Sequence, residues 1–232
     1  MASPLERSIQ RGPTLYCGGD RGHLVALTFD DGPGLLDGRV LSLLRRAHQE
    51  ATFFLIGEEL SSYPRYVSEE AALGAVGDHT WTHPFLTRLP RRRVRVEIAR
   101  TKTALERLSG APVRLFRPPY GFHNATVDHV VSSLGMLQVK WSVDSHDAYP
   151  DGGLNSSGIG ARVARFLRPG SIVLLHDERA ATVEALARSI LPLLDRRGLR
   201  SVTIPELLAA DPPSPAQLRQ GINGCPEGRL AS

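Results

Sequence analysis

The chain of 232 residues is 41% hydrophobic, enough to bury one sizeable core, and a single α/β domain fills that length where two would be cramped. Its formal charge of +4 rests on arginine, with lysine only at Lys102 and Lys140; the one dense cluster, Arg91 to Arg93 with Arg95, reads as the solvated face of a helix, so nucleic acid is not an expected partner. No stretch approaches membrane-span length and the first residues, MASPLERSIQRGP, hold no apolar export core, so no membrane partner is expected and the chain as given reads as a cytoplasmic monomer, extracellular if it has been trimmed.

In chain order, residues 1–22 form an N-terminal extension, followed by a β-rich run at 24–29 that ends in the adjacent carboxylates Asp30 and Asp31 of LTFDDGPG. Neighbours on a strand point to opposite faces, so either this is an acidic turn or the chain leaves strand geometry to aim both groups one way. Further strands are expected at 51–56, weakly at 74–76, and at 113–116, 137–143, 171–176 and 199–204. The clearest helix is 91–108, where Val94, Ile98, Leu105 and Leu108 recur at helical spacing between Pro90 and Gly110. Strands alternating with helices indicate parallel βα units, in an open doubly wound sheet or a (β/α) barrel. From Asp211 onward, proline and glycine predict an extended or mobile tail. Cys17 and Cys225 make no C-x-x-C metal pattern, and whether they pair stays open.

Polar groups collect at one end of these strands: Asp30 and Asp31, then His79 and His83 of HTWTHP, Arg117 of RPPYG, Asp144 and Asp147, and His176. The C-terminal strand ends are where α/β folds build sites. Two histidines four apart reach one ion across a turn; alone they read more readily as backbone-satisfied imidazoles, but an added carboxylate makes an Asp-His-His set with an open position, as in catalytic zinc sites. An arginine beside an aspartate holds it in place and keeps it deprotonated, and a carboxylate beside His176 raises its pKa towards that of a general acid.

TFDDGP, HTWTHP, RPPYG, D-x-x-D and L-x-H, in that order, resemble the motifs of the polysaccharide deacetylase (NodB-homology) family of carbohydrate esterases, over about Val25 to Thr203. The chain looks most like small chitooligosaccharide deacetylases. The resemblance implies a distorted (β/α) barrel of about seven parallel strands over residues 23–210, with 211–232 as a tail. It also implies a divalent metal, zinc first with cobalt, manganese or nickel as alternatives, and an N-acetylated sugar as substrate. Asp31, His79 and His83 correspond to the metal ligands and Asp30 to the general base tethered by Arg117. Pro118 and the backbone N–H of Tyr120 fall on the substrate and oxyanion side, Leu174 lines the acetyl pocket, and Asp147 orients His176 as general acid. O-acetyl esterase activity or non-catalytic carbohydrate binding are the alternatives. Two positions depart from the pattern. Ala148 stands where a tryptophan is expected, leaving a gap for Tyr149 to fill, and GAVGDH is one residue short with Asp78 in place of asparagine, which either displaces His79 or brings Asp78 to the metal.

Overall fold

The computed structural model describes residues 3–12, 14–148 and 153–225. Its strands are β1 (Leu24–Asp30), β2 (Ala51–Leu55), β3 (Ala75–Asp78), β4 (Leu115–Phe116), β5 (Leu137–Gln138), β6 (Val143–Asp144), β7 (Ile172–His176) and β8 (Arg200–Ser201). The helices are α1 (Pro4–Arg11), α2 (Asp37–Arg46), α3 (Pro64–Leu73), α4 (Arg91–Ser109), α5 (Ala125–Ser133), α6 (Ser156–Phe166), α7 (Ala180–Ala185), α8 (Leu191–Arg197), α9 (Ile204–Ala210) and α10 (Pro215–Gln220).

Every strand pairing is parallel, in the order β5-β4-β3-β2-β1-β7-β6, with β8 beside the start of β1. The run expected as one strand at 137–143 is divided between β5 and β6, because its two ends serve opposite edges of the sheet. At its start Val139 N–H donates to Phe116 O, and at its end Ser142 N–H donates to Ile172 O. One stretch of chain therefore joins both edges and curls the sheet into a distorted (β/α) barrel.

Strand pleating sorts the residues into two layers. Leu27, Phe29, Phe53, Leu55, Val173 and Leu175 pack outward beneath the helices. Ala26, Phe54, Leu115, Leu137 and Ile172 belong to a second, interior cluster. Parity along the same strands sends Thr28 and Asp30, and Leu174 and His176, inward. Register then sets them side by side, Thr28 opposite Leu174 and Asp30 opposite His176. Burial of apolar side chains on both faces explains why β1 and β7 read as continuous apolar runs rather than alternating ones.

Far from the strand C-termini, Ile204, Leu207 and Leu208 of α9 join Leu15 in the interior cluster, with Leu5 and Ile9 of α1 packed against it. Asp211 accepts from the backbone N–H groups of Arg21 and Gly22, fastening this end of the chain beside the entry to β1. The expectation of an extended or mobile tail fails for 215–225. Ser214 and Gln217 cap α10 reciprocally, with proline at its first position, and Cys225 is disulfide-bonded to Cys17 with a Cα–Cα distance of 5.9 Å. Among the described residues, no helix is long and apolar enough to cross a membrane.

Because the bridge closes a loop spanning 208 residues, chain-entropy reasoning gives it about 5 kcal/mol. Thermal and denaturant unfolding with and without reductant test this: a clear loss of stability on reduction, matched by Cys17→Ser, is expected, and identical transitions would refute it.

Candidate metal and catalytic site

Four strand ends and the loops after them meet at the mouth of the barrel. Asp30, the last residue of β1, follows the inward parity of Ala26 and Thr28. Asp31 would point outward in a continuing strand, but its φ of 73° turns the chain and brings its side chain into the same mouth. A left-handed conformation at a non-glycine residue is costly, and it recurs here at Thr80 (φ 70°), His83 (φ 53°) and Tyr120 (φ 59°).

His79 and His83 lie on an irregular loop rather than a helical turn. Glu97 of α4 holds that loop, accepting from the N–H groups of Trp81 and Thr82, and Thr80 Oγ1 accepts from His83 N–H. His79 Nδ1 lies 2.8 Å from the carbonyl oxygen of Arg117, which assigns the ring proton to Nδ1 and leaves an Nε2 lone pair facing the mouth. From there Nε2 is 3.5 Å from Asp31 Oδ1, and His83 Nε2 is 3.3 Å from the same oxygen. The three residues offer ligand atoms all within 4.8 Å of one another.

The chemistry of this set fits a divalent cation. Asp31 Oδ1 is buried without a hydrogen-bond donor. Burial lowers both imidazoles to about 3, so they present lone pairs rather than protons at neutral pH. Burial likewise pushes the Asp31 carboxyl up to about 7, with the His176 charge opposing and Asp30 adding to the rise. A carboxylate oxygen and two neutral imidazole nitrogens match a catalytic zinc-type triad with one position left open.

Beside the triad, Arg117 is wholly buried and its Nη1 donates to Asp30 Oδ1 at 2.7 Å and Thr28 Oγ1 at 2.8 Å. Nη2 donates to Lys140 O at 3.0 Å, and the guanidinium lies over the Phe54 ring. Burial raises the Asp30 pKa, while the Arg117 charge and hydrogen bond oppose that rise. A carboxylate tethered yet raised is better suited to take up a proton.

On the other side of the mouth, His176 Nδ1 lies 2.7 Å from Asp147 Oδ1, and Nε2 points inward, 3.9 Å from Asp31 Oδ2. Thr182 Oγ1 and His176 N–H both donate to Asp147 Oδ2. Burial alone would lower the His176 pKa, but the Asp147 hydrogen bond and charge, helped by Asp30 and Asp31, raise it to about 9. This imidazole is a proton donor across the neutral range.

A cleft of about 510 Å³ covers these groups, with Phe85, Tyr120, Phe122 and Trp141 on its walls and Leu174 and Ala148 at its lining. Tyr120 and Phe122 are 49% and 56% exposed, and the Phe85 and Tyr120 rings stack at 4.0 Å. Pro118 does not reach the cleft. It is buried, and its carbonyl accepts from Gly121 N–H to form the turn that presents Tyr120. Tyr149 lies outside the described residues. Asp78 is no further ligand: strand parity turns it outward, where it accepts from Thr80 N–H near Lys102, and His79 is not displaced from the mouth. Three supporting residues escaped motif reading. Thr28 sits inside TFDDGP and was legible by parity, whereas Glu97 and Thr182 had no local signal.

A polysaccharide deacetylase family profile matches residues 18–139. The chain is 34% identical over 199 residues to a chitooligosaccharide deacetylase of Azorhizobium caulinodans, covering 78% of this chain and 92% of that protein. Its fold superposes on a crystal structure of a peptidoglycan N-acetylglucosamine deacetylase with a TM-score of 0.80 and 33% identity, over 86% and 94% of the two chains. A Bacillus anthracis protein described as a CE4 family pseudoenzyme also matches, with a TM-score of 0.76 and 30% identity over 83% and 68%. Of several longer relatives the chain spans only 26% to 38%.

Arg117→Met removes the cation facing a fully buried carboxylate and is expected to destabilise the fold by about 3–5 kcal/mol. Denaturant unfolding measures this; a change under 1 kcal/mol would show that the pair does not anchor the mouth.

Proposed function

The chain belongs to the polysaccharide deacetylase family, and from that premise we propose that it is a metal-dependent hydrolase removing N-acetyl groups from glycans that contain N-acetylglucosamine. The observation that carries this reading is the pairing, across one mouth, of a tethered carboxylate on one side and a protonated imidazole on the other.

Asp31, His79 and His83 would hold the ion, which when bound supplies Lewis-acid polarisation of the acetyl carbonyl and a more acidic water. Asp30, fixed by Arg117, takes the proton of the attacking water. The Tyr120 N–H is the proposed hydrogen-bond donor to the developing oxyanion, presented by the turn that Pro118 begins. Leu174 packs beside the acetyl methyl group. As the amide C–N bond breaks, His176 Nε2 gives a proton to the departing amine, and Asp147 holds that ring by its other nitrogen. No covalent acyl-enzyme is required.

Substrate length follows from the walls. The exposed Tyr120 and Phe122 continue the cleft onto the surface, and aromatic faces of this kind stack against sugar rings. This favours an oligosaccharide or polymer over a free N-acetyl amino sugar. The Cys17–Cys225 bridge favours an oxidising compartment over the cytoplasm. A non-catalytic role, suggested by the pseudoenzyme relative, fits less well, because the proposed base, acid and ligands are all present and mutually placed.

Acetate release from chitooligosaccharides, peptidoglycan and acetylated xylan, with zinc, cobalt, manganese or nickel added to chelated protein, is the direct assay. Turnover of the first two and not the third is expected. Turnover of xylan alone would mean an O-acetyl esterase, and sugar binding without any turnover would mean a retired enzyme. Asp147→Asn is expected to lower kcat about 10²- to 10⁴-fold. Since the Asp147 hydrogen bond and charge raise the His176 pKa to about 9, losing them lowers it. The alkaline limb of the pH–kcat profile should therefore move to lower pH in the variant, and an unmoved limb would remove His176 as the acid.

A further inference from the structure

A second group of acids lies on the opposite face of the same strand ends, in the layer between sheet and helices. Asp177 follows His176 and takes the outward parity that His176 does not. There it meets Asp37, at the start of α2, and Glu70, in α3. All three residues are fully buried, and each offers an oxygen within 4.8 Å of those of the other two.

What sets this group apart from an ordinary acidic cluster is the state of its oxygens. Both oxygens of Asp177 have no hydrogen-bond donor, and nothing outside the group donates to Asp37 Oδ1 or to Glu70, whose carboxyls are close enough to share a proton with each other; Asp37 Oδ2 accepts from the N–H of Gly34 at 2.7 Å. Two whole carboxylate groups are thus sealed from water and aimed into one shared space. Burial, then the neighbouring carboxylates, push Glu70 and Asp177 well above the usual carboxyl range. Buried carboxylates without donors or a counter-charge are costly. Either each carboxyl keeps a proton at neutral pH, or one cation serves all of them.

We propose that Asp37, Glu70 and Asp177 hold a second, structural divalent cation of the hard, oxygen-preferring class, calcium foremost, separate from the Asp31, His79 and His83 site. The donor set is all carboxylate, with no nitrogen or sulfur, which suits calcium, magnesium or manganese rather than zinc. Carboxylates able to bind through both oxygens and not held to one geometry favour calcium within that class.

The position gives the ion a task. A Cβ on Gly32 would come within 2.9 Å of Asp177 Oδ2, so the backbone just after Asp31 rests against this carboxylate. A cation here would clamp the start of α2 and the last turn of α3 to the two loop entries that carry Asp31 and His176. It stabilises those entries from behind without touching substrate, and the inference does not depend on which reaction the mouth performs.

The full chain, stripped with chelator and reloaded with one equivalent of zinc, is dialysed against calcium, magnesium or manganese chloride, and metal per chain and the thermal midpoint are measured. One additional hard cation per chain, with a midpoint several degrees higher, is expected for the wild type. Glu70→Gln should lose both while keeping its zinc. If that variant does not fold, the wild-type stoichiometry decides alone. No added cation in the wild type would mean that the carboxyls hold protons, and equal binding in a folded Glu70→Gln would place the ion elsewhere; either result overturns the proposal.

Discussion

The buried pair between Arg117 and Asp30 is the constraint on which the mouth of the barrel depends. Its guanidinium reaches from the residue just after β4 to Thr28 and Asp30 of β1 and to the carbonyls of Val139 and Lys140 in the closing run. Removing two charges from water is expensive, and such a pair holds only where further hydrogen bonds satisfy it, as these do. The same residue's backbone carbonyl fixes the tautomer of His79. One side chain therefore ties the proposed base to the barrel wall while its main chain orients a proposed metal ligand.

Around that fixed point, alternation along the strands divides the polar residues between two tasks. Inward positions build the mouth, with Thr28, Asp30, Arg117 and His176 converging there. Outward positions face the helices, which is where Asp78 and Asp177 are found. The mouth then needs one exception to the alternation, and the left-handed turn at Asp31 supplies it. Strain at Asp31, His83 and Tyr120 is confined to loops that pair with rigid strand ends, an arrangement expected where backbone must aim groups at a reacting centre.

Much of this was legible in the sequence because strand ends carry both the apolar pattern and the polar residue that follows it. Asp30, Arg117 and His176 each close an apolar run, so their convergence followed from the parallel βα order together with the family's motif order. The misreadings have physical sources. The segment 137–143 looked like one strand because it is continuously β-like, and sequence holds no sign that its ends pair with different edges. Proline and glycine content predicts a loose tail, although Ser214 and Gln217 with Pro215 already spell a helix start. The shortened GAVGDH, with Asp78 in place of asparagine, suggests a further ligand, but parity places Asp78 and His79 on opposite faces. Glu70 gave no warning at all, since its partners lie far away in the chain and meet only through packing.

In the proposed reaction Asp30 and Asp31, adjacent in sequence, do different work: one handles the proton and the other holds the ion. The most direct measurement is the zinc content of Asp30→Asn and Asp31→Asn beside their rates of acetate release from chitooligosaccharide. Asp30→Asn is expected to retain one zinc per chain and lose turnover, while Asp31→Asn loses zinc and turnover together. Equal loss of zinc in both variants, or full turnover in Asp30→Asn, would contradict that division of work.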